Sequence, residues 1–353
     1  MRYYRPVTRT DATRSRDALT LAGGWCWFDT LEVLSRDAPP RLVPAAEAPP
    51  ALRARLTAPR APLAGMAMDA PQIMGILNVT PDSFSDGGRY LDPAGALAHA
   101  RALAAGGAAI LDVGGESTRP GAALVAIDDE IARTAPVIEA IRAELGIPIS
   151  IDTRKAAVAR AALRAGANMV NDVAGFTHDP DLAPFAAEHA LPVCVMHARG
   201  TPETMQNDPR YDDVLLDVYD WLEARVAFLT ALGIPRARIA VDPGIGFGKT
   251  AGHNLRLLAN LSLFHGLGCP ILLGASRKRF IGDLTGTPRA ADRLPGSLAV
   301  AVMAMAQGVQ ILRVHDVAET RAARDTWQAV TFATRRQGSS SCHSRAHVIG
   351  NPD

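Results

Sequence analysis

The sequence predicts a (β/α)8 TIM barrel with a short N-terminal appendage. From residue 72 onward, short apolar runs alternate with Ala- and Leu-rich helical stretches, and eight such units fit into residues 72–334. The runs end in polar or glycine-rich clusters. Alternating strands and helices form a parallel sheet with right-handed crossovers, and eight units in about 250 residues is the size of a closed barrel.

The individual elements follow from these runs. The predicted strands cover residues 73–79, 108–113, 147–151, 169–173, 192–196, 238–241, 270–273 and 309–314. The predicted helices cover 92–105, 127–145, 155–165, 213–232, 253–263, 293–307 and 318–334. An open doubly wound sheet is the alternative. It typically carries a dinucleotide glycine fingerprint after its first strand, whereas the first strand here ends in Asn-Val-Thr-Pro-Asp.

The two ends of the chain differ from the barrel region. Residues 1–71 are rich in Arg, Pro and Ala and predict an appended module and linker of unassigned function. Within it, the apolar residues from Trp25 to Leu34 predict one hairpin or one strand packed on a neighbour. Residues 335–353 contain a Gly-Ser-Ser-Ser run and predict a disordered tail.

Composition excludes several classes of function. The 353 residues carry 37 basic and 36 acidic side chains, a formal net charge of +1, which argues against a general nucleic-acid binder. No run of about 20 apolar residues predicts a membrane span. The run 19–28 lacks the features of a secretory signal, so a cytoplasmic location is expected. The four cysteines are scattered without a C-x-x-C pair and predict reduced thiols rather than a zinc site or disulfides.

Lysine is rare in this chain. Of the 37 basic residues only three are lysines, Lys155, Lys249 and Lys278, and each follows an apolar, strand-like run. A compact, titratable ammonium is not interchangeable with the planar guanidinium of arginine. The three lysines are therefore candidates for specific roles.

Polar residues stand at the carboxyl ends of almost all predicted strands, where a barrel of this kind has its active site. In chain order they are Asn78, Asp112, Asp152, Asn171, His197, Asp242, the Ser276-Arg277-Lys278 segment, Arg313 and His315. Singly, each has a structural alternative: a helix cap for Asp152 or Asn171, a turn for Asp242, and a packed histidine for His197. Caps and turns do not require cations and carboxylates to converge on one rim, which favours a site.

The two kinds of charge indicate two halves of a ligand. Asp152, Asn171 and Asp242 offer hydrogen-bond acceptors and an amide to a flat, donor-rich heterocycle. Lys278, Arg313 and His315 predict an anion pocket. An aminated ring linked to phosphate satisfies both halves. Asn78, close to that anion, could ligate Mg²⁺, which binds substrate phosphates and few protein groups.

Seven segments resemble the signatures of dihydropteroate synthases. The two longest are Ile-Leu-Asn-Val-Thr-Pro-Asp-Ser-Phe-Ser-Asp-Gly-Gly (76–88) and Asp-Val-Gly-Gly-Glu-Ser-Thr-Arg-Pro-Gly-Ala (112–122). The others are Ile-Asp-Thr (151–153), Asn-Asp-Val (171–173), Asp-Pro-Gly-Ile-Gly-Phe-Gly-Lys (242–249), Gly-Ala-Ser-Arg-Lys (274–278) and Arg-Val-His-Asp-Val (313–317). The resemblance covers roughly 72–325 in order, and the N-terminal 70 residues fall outside it.

The resemblance implies a role for each matching residue. Asn78 would coordinate Mg²⁺ with a pyrophosphate that Arg313 and His315 bind. The pterin would be held by Asp112, Asp152, Asn171, Asp242, Phe247 and Lys278. The first two loops, with Ser83, Phe84, Thr118, Arg119 and Pro120, would build the 4-aminobenzoate site. Asp152, Lys278, Arg313 and His315 would act in catalysis. Lys155 matches no role and is expected to be a surface lysine.

The family's reaction is implied in the same way. Pyrophosphate leaves 6-hydroxymethyl-7,8-dihydropterin pyrophosphate first, a pterin-stabilised cation forms, and the nitrogen of 4-aminobenzoate attacks the methylene, giving 7,8-dihydropteroate. The expected ligands are these small molecules, with no nucleic acid and no membrane. The family generally forms homodimers through late barrel helices, so a homodimer is expected.

Three alternatives stay open. An inactive paralogue would keep the fold and bind pterin without turnover. A methyltransferase that acts on a reduced folate and a corrinoid would share the pterin carboxylates but should lack the Ser-Thr-Arg-Pro loop and the Ser-Arg-Lys segment. A phosphosugar barrel enzyme such as an aldolase would need a Schiff-base lysine or a metal-binding histidine set deep in the barrel.

Overall fold

The N-terminal part of the protein is a β-rich module with one helix. The computed structural model describes residues 1–80, 93–117, 121–122, 124–201 and 204–333. The module contains β1 (Tyr3–Pro6), β2 (Leu19–Thr20), β3 (Trp27–Phe28), β4 (Thr30–Leu34), β5 (Arg41–Pro44) and α1 (Pro50–Thr57). Strands β1, β4 and β5 form one antiparallel sheet in that order, and β2 pairs with β3. The module is therefore more extensive than the single hairpin or strand that its sequence predicts.

Eight parallel strands follow and confirm the predicted barrel. They are β6 (Gln72–Asn78), β7 (Ile110–Gly114), β8 (Ile149–Asp152), β9 (Met169–Asp172), β10 (Val193–Met196), β11 (Ile239–Asp242), β12 (Leu272–Leu273) and β13 (Ile311–Val314). Their order is β11-β10-β9-β8-β7-β6-β13-β12. The two strands at the ends of this order, β11 and β12, are joined by a parallel bridge between Val241 and Ile271. The Val241 amide also donates to Pro270 O at 2.9 Å. The sheet thus closes on itself.

Nine helices of the described residues surround or cap this sheet. They are α2 (Pro93–Gly106), α3 (Ile127–Glu144), α4 (Ala156–Ala165), α5 (Leu182–Glu188), α6 (Val214–Ala231), α7 (Ala251–Ala259), α8 (Arg279–Thr285), α9 (Leu294–Ala306) and α10 (Val317–Thr331). Two of them, α5 and α8, were not predicted, because seven residues are too few for a helical period to show. None of the helices in the described part is long and apolar enough to cross a membrane.

The predicted helix 253–263 proves to be two elements. A capping box at Thr250 starts α7 earlier than expected, since the Thr250 hydroxyl accepts from the His253 amide and the His253 ring accepts from the Thr250 amide. The helix ends at Ala259, and a separate 3-10 helix runs from Leu261 to Leu267. Its seven residues are all buried, because the N-terminal module covers them.

The floor of the barrel is apolar and is closed by the linker that precedes β6. Side chains from seven strands meet there: Met74, Ile110, Met169, Cys194, Ala240, Leu272 and Ile311. Leu63, Met66 and Met68 of the linker pack against this layer and are at most 4% exposed. Because side chains alternate along a strand, the next inward positions toward the carboxyl ends lie two residues later. Those positions hold polar residues such as Asp112, Asn171, Asp242 and Arg313.

The N-terminal module has a core of its own and is docked on the outside of the barrel. Its core includes Phe28 and Leu31, both fully buried. At the contact with the barrel, the buried Trp25 Nε1 donates to Met305 O at 2.7 Å, and Tyr3 donates to Asp220 Oδ2 at 2.8 Å. Arg36 forms ion pairs of 2.6 and 2.7 Å with Asp217 and Asp220 of α6. The module therefore has fixed contacts with α6 and α9.

The cysteines of the described residues are reduced, as the sequence predicts. Cys26, Cys194 and Cys269 are buried free thiols. Burial raises the pKa of Cys269 to about 11 and that of Cys194 well above its usual value. Cys194 and Cys269 are therefore packing residues rather than reactive thiols. Cys342 lies outside the described residues.

Candidate active site

Arg313 is the centre of the polar rim. From the end of β13 its Nε donates to Asp112 Oδ2 of β7 at 2.5 Å, and its terminal NH2 donates to Asp152 Oδ2 of β8 at 2.7 Å. Strand β13 is not next to β7 or β8 in the sheet, so the guanidinium reaches across the barrel interior. The Arg313 side chain is 19% exposed, compared with 0% for Asp112 and 11% for Asp152. One cation thus balances two carboxylates, one fully buried and the other largely so.

Asp112 has one satisfied oxygen and one that lacks a partner. Its Oδ2 accepts from Arg313 and from Asn171 Nδ2, the latter at 3.1 Å. Its Oδ1 is buried and accepts no hydrogen bond from the described residues. An unsatisfied buried carboxylate oxygen is unfavourable. Asp112 Oδ1 is therefore suited to receive a donor from a bound molecule.

Two further carboxylates of the rim hold their protons more tightly than usual. Burial raises the pKa of Asp152 to about 7; Arg313 opposes that rise, and the charges of Asp112, Asp172 and Glu130 add to it. Burial also raises the pKa of Asp242, although the Gly244 amide donates to its Oδ1 at 2.7 Å and nearby cations lower it. Desolvation is the common cause. A ligand rich in N–H donors would stabilise the ionised forms.

The raised pKa of Asp152 predicts a pH effect on stability. The folded protein binds the proton of Asp152 more tightly than the unfolded chain does between pH 3.8 and about 7. The free energy of unfolding therefore falls as pH rises through that window, by at most about 1.4 kcal/mol per pH unit from this group. In Asp152→Asn this contribution is absent. Urea denaturation of both proteins at pH 5, 6, 7 and 8 measures the difference, and parallel profiles would contradict the assignment.

Lys278 and Phe247 lie together on the side of the rim formed by β11 and β12. The Lys278 Nζ is 4.1 Å from the centroid of the Phe247 ring, a cation–π contact. A Cβ built on Gly274, at the end of β12, would lie 3.6 Å from Asp242 Oδ2 and 3.8 Å from Arg313 Cδ. Gly274 therefore lies next to both of these side chains. The ammonium, ring and carboxylate thus form one wall of the site.

His197 is a packed histidine, the reading favoured by its sequence context. It is 5% exposed, and its Nδ1 lies 2.8 Å from the Nζ of the equally buried Lys249. Burial and the neighbouring charge of Lys249 hold the pKa of His197 well below its usual range. A neutral ring that contacts Lys249 serves packing rather than acid catalysis.

The anion side of the rim is formed by the loops that follow β12 and β13. Ser276 Oγ lies 3.1 Å from His315 Nδ1. Arg277 Nε donates to Asp316 Oδ2 at 2.9 Å and so joins the two loops a second time. Arg277 has a φ of +58°, in the left-handed region that non-glycine residues rarely adopt. These contacts hold His315 beside Ser276 and fix the direction of the chain just before Lys278.

Lys155 is not the surface lysine that the sequence predicts. It is 4% exposed, and its Nζ donates to Glu130 Oε2 at 2.6 Å, Glu116 Oε1 at 3.1 Å and Val125 O at 2.7 Å. Arg154 donates to the other oxygen of Glu116 at 2.7 Å. The expectation failed because the partners come from two distant segments. The scarcity of lysine in the sequence was the one feature that indicated a specific environment for Lys155.

The structure brings most of the predicted site residues to one rim. Those described are Asn78, Asp112, Asp152, Asn171, Asp242, Phe247, Lys278, Arg313 and His315. Ser83, Phe84, Thr118, Arg119 and Pro120 lie outside the described residues. The network of Glu116, Glu130 and Arg154 beside Asp152 is not predicted by the sequence. Chemically, the rim offers the acceptors Asp112, Asp152 and Asp242 together with the cations Arg313 and Lys278.

Comparison with known proteins agrees with this arrangement. Residues 74–315 match the family described as "Pterin binding enzyme". The dihydropteroate synthase of Escherichia coli K12 is 48% identical over 250 residues, which cover 71% of this chain and 88% of that protein. The Synechocystis enzyme of the same name is 48% identical over 245 residues, covering 69% and 85%.

Solved structures show the same similarity. Xanthomonas albilineans dihydropteroate synthase with 4-aminobenzoic acid matches with a TM-score of 0.72 and 46% identity, over 76% of this chain and 96% of that one. The Yersinia pestis enzyme in complex with a sulfonamide drug matches with a TM-score of 0.71 and 44% identity, over 77% and 96%. Both fold and sequence are thus shared with these proteins across the barrel.

Proposed function

Because this chain belongs to the dihydropteroate synthase family of pterin-binding enzymes, we propose that its rim divides the family's reaction between a pterin pocket and a pyrophosphate site. The enzyme is a transferase of folate biosynthesis. It condenses 6-hydroxymethyl-7,8-dihydropterin pyrophosphate with 4-aminobenzoate, giving 7,8-dihydropteroate and pyrophosphate. The observation that carries the residue assignment is the convergence of Asp112, Asp152 and Arg313 at the carboxyl ends of three strands.

In our proposal the pterin binds to the carboxylates and the amide. Its N–H groups donate to Asp152, Asp242 and the unpartnered Oδ1 of Asp112, while Asn171 contacts the ring edge. Lys278 donates to the carbonyl edge of the pterin, supported from below by Phe247. Anionic groups that face the ring favour the positive charge that develops on it when the leaving group departs.

The pyrophosphate binds next to this pocket, at Arg313 and His315. When the pterin takes up the acceptor oxygens of Asp112 and Asp152, the Arg313 guanidinium remains between those carboxylates and the anion and stabilises both. His315 donates from the ring nitrogen that is not engaged with Ser276. Charge that accumulates on the departing pyrophosphate is thereby stabilised, which favours a dissociative substitution.

Mg²⁺ belongs to this proposal as the partner of the pyrophosphate. The residues present suit such an ion. Asn78 places an amide oxygen at the end of β6, and a Cβ on Gly114 of the neighbouring strand would lie 3.7 Å from that Oδ1. The described residues contain no group of three or more His, Cys, Asp or Glu that could hold a metal alone. Asn78 would therefore hold Mg²⁺ together with substrate phosphate, where the ion would neutralise negative charge.

The 4-aminobenzoate site is proposed on sequence resemblance. Ser83 and Phe84 in the first loop and Thr118, Arg119 and Pro120 in the second would contact the arylamine. Both loops begin at strand ends that carry residues of the rim, Asn78 on β6 and Asp112 on β7. Attack by the arylamine nitrogen on the methylene then follows loss of pyrophosphate. Water must be excluded at that stage, because it would capture the cation.

The first test is pyrophosphate release from the pterin substrate, measured with and without Mg²⁺ and with and without 4-aminobenzoate. We expect release coupled to dihydropteroate formation, dependent on Mg²⁺ and lost in Asp152→Ala. Tight pterin binding without release would favour an inactive pterin-binding paralogue. Methyl transfer from a reduced folate in place of release would favour the methyltransferase alternative.

Lys278→Ala tests the pterin pocket directly. Removal of an ammonium that bonds the pterin carbonyl should weaken pterin binding by about 1.5–3 kcal/mol, the usual contribution of a hydrogen bond to a charged group. Isothermal titration calorimetry with the pterin substrate or a non-reactive pterin measures this loss. Arg279→Ala, which removes a neighbouring exposed cation on α8, is the matched control and should bind normally. Equal affinities in all three proteins would remove Lys278 from the site.

We also propose that the enzyme is a homodimer that associates through α9. Residues 294–306 contain no charged side chain, yet Met303 on this helix is 56% exposed. An apolar helix face of this kind is suited to packing on a second copy. Analytical ultracentrifugation of the protein and of Met303→Glu, which should dissociate, tests the assignment.

The division of the chain is the last part of the proposal. Residues 72–334 are the catalytic barrel, residues 1–71 a structural appendage and residues 335–353 a tail. The run 19–28, the candidate for a signal core, lies partly in the core of the appendage, with Leu21 at 2% and Phe28 at 0% exposure. This placement supports retention of the run in a cytoplasmic enzyme.

A further inference from the structure

Residues 243–249, which we call the β11 loop, depend on three alternate glycines. Gly244, Gly246 and Gly248 have φ values of +69°, +83° and +63°, all in the left-handed region. A Cβ on Gly244 would lie 1.9 Å from His197 O, and one on Gly248 would lie 2.4 Å from Arg199 O. The β11 loop is therefore in direct backbone contact with the residues that follow β10.

Lys249 joins the same two segments through its side chain. Its Nζ donates to Phe247 O at 3.0 Å, lies 2.8 Å from His197 Nδ1 and is 3.3 Å from His197 O. The residue is 2% exposed. Burial lowers the pKa of Lys249 to about 7, an effect that Asp242 opposes and Lys278 increases. Because three acceptors surround this buried amine, its position is fixed, unlike that of the amine of a surface lysine.

Phe247 connects this buried amine with Lys278. Its carbonyl accepts from Lys249, and its ring lies 4.1 Å from the Lys278 Nζ. The stem of Lys278 follows the same loop, because a Cβ on Gly246 would lie 3.3 Å from Lys278 Cδ. The Lys278 side chain thus lies along the β11 loop, with its ammonium over the Phe247 ring.

We propose that Lys249 is a positioning residue: it holds the Phe247 backbone against His197 and thereby fixes the ring over which the Lys278 ammonium lies. Lys249 does not touch the substrate in this proposal. Its consequence for catalysis rests on the proposed role of Lys278 at the pterin. The proposal also gives a reason for the last lysine of the Gly-Phe-Gly-Lys segment, since arginine could not fill the same compact, buried place.

Nuclear magnetic resonance tests the positioning without reference to activity. The chain has only three lysines, so protein labelled with ¹³C at the lysine ε carbon gives three ε-CH2 signals. Loss of one signal in Lys278→Met assigns that residue. The Phe247 ring should shift the Lys278 ε protons upfield, and Phe247→Leu calibrates the size of that shift.

The decisive variant is Lys249→Met, which keeps the length of the side chain and removes its donors. We expect it to lose most of the Phe247-dependent shift at Lys278 while the rest of the spectrum stays dispersed. A purely structural role would lower the denaturation midpoint but leave Lys278 over the ring in every folded molecule. A fully retained shift in folded Lys249→Met overturns the proposal. If that variant does not fold, Lys249→Gln, which is shorter and keeps an amide donor, is subject to the same criterion.

Kinetics then separate this inference from the proposed function. In Lys249→Met, KM for the pterin substrate should rise about tenfold, equal to the loss of about one hydrogen bond to a charged group. A lost shift with a raised KM supports both the positioning role of Lys249 and the assignment of Lys278 to the pterin. A lost shift with an unchanged KM supports the positioning role and contradicts the assignment of Lys278 to the pterin.

Discussion

Arg313→Met is expected to lower kcat/KM by about a thousandfold or more, since loss of a single preorganised donor to a developing oxyanion already costs about 10²–10³ in rate. Two effects add here. The pyrophosphate loses its cation, and Asp112 and Asp152 lose the guanidinium that donates to both at 2.5 and 2.7 Å. An uncompensated pair of buried carboxylates takes up a proton, and a protonated pair accepts the pterin donors poorly.

The measurement is steady-state pyrophosphate release over a range of pterin concentrations, with pterin affinity from calorimetry. Arg36→Met is the matched control. That arginine also bonds two carboxylates, Asp217 and Asp220, but on the outside of the barrel. Its loss should leave kcat/KM near the wild-type value. A decrease of less than tenfold in Arg313→Met would show that the arginine does not take part in the reaction.

Lys155→Met should lower the free energy of unfolding by about 3–5 kcal/mol, the usual result of breaking a buried ion pair from one side. The loss leaves Glu130, whose side chain is 0% exposed, without a cation, and leaves Glu116 with Arg154 alone. The same substitution removes the hydrogen bond to Val125 O. Equilibrium denaturation in urea measures the change.

Two further variants make that result specific. Arg101→Met breaks an ion pair with Glu144 of similar length, 2.6 Å, in which the side chains are 53% and 42% exposed. Solvent-exposed pairs contribute about 0–1 kcal/mol, so this control should change little. Lys155→Met combined with Glu130→Gln should recover part of the lost stability, because the buried charge is removed as well. Equal losses for Lys155→Met and Arg101→Met would contradict the role of burial.

Most of the rim could be predicted from the sequence, because a parallel barrel relates chain position to spatial position in a simple way. Residues that directly follow a strand lie at the same end of the sheet, so Asp152 and Arg313 could be placed together although 161 positions separate them. Family resemblance then supplied chemical roles. Neither kind of reasoning gives distances, and the direct bond between these two residues became visible only in the structure.

The buried environment of Lys155 could not be predicted from the sequence. Its partners Glu116 and Glu130 lie 39 and 25 positions away, one after β7 and the other in the first turn of α3. Neither a strand period nor a helix period connects these positions. Short helices such as α5 were missed for a related reason, since seven residues do not complete two full turns of a pattern. Tertiary contacts decide both cases.

The docked N-terminal module has a consequence for how this protein folds. Its bonds to the barrel join very distant parts of the chain: Trp25 to Met305 spans 280 positions, and Ser262 to Pro6 spans 256. Contacts between residues so far apart in the chain form slowly, because a long loop must close first. On the ribosome, Trp25 is synthesised long before its acceptor on α9 exists. The contacts of the module with α9 therefore form only after nearly the whole barrel has been translated, and the apolar residues that face α9 stay uncovered until then.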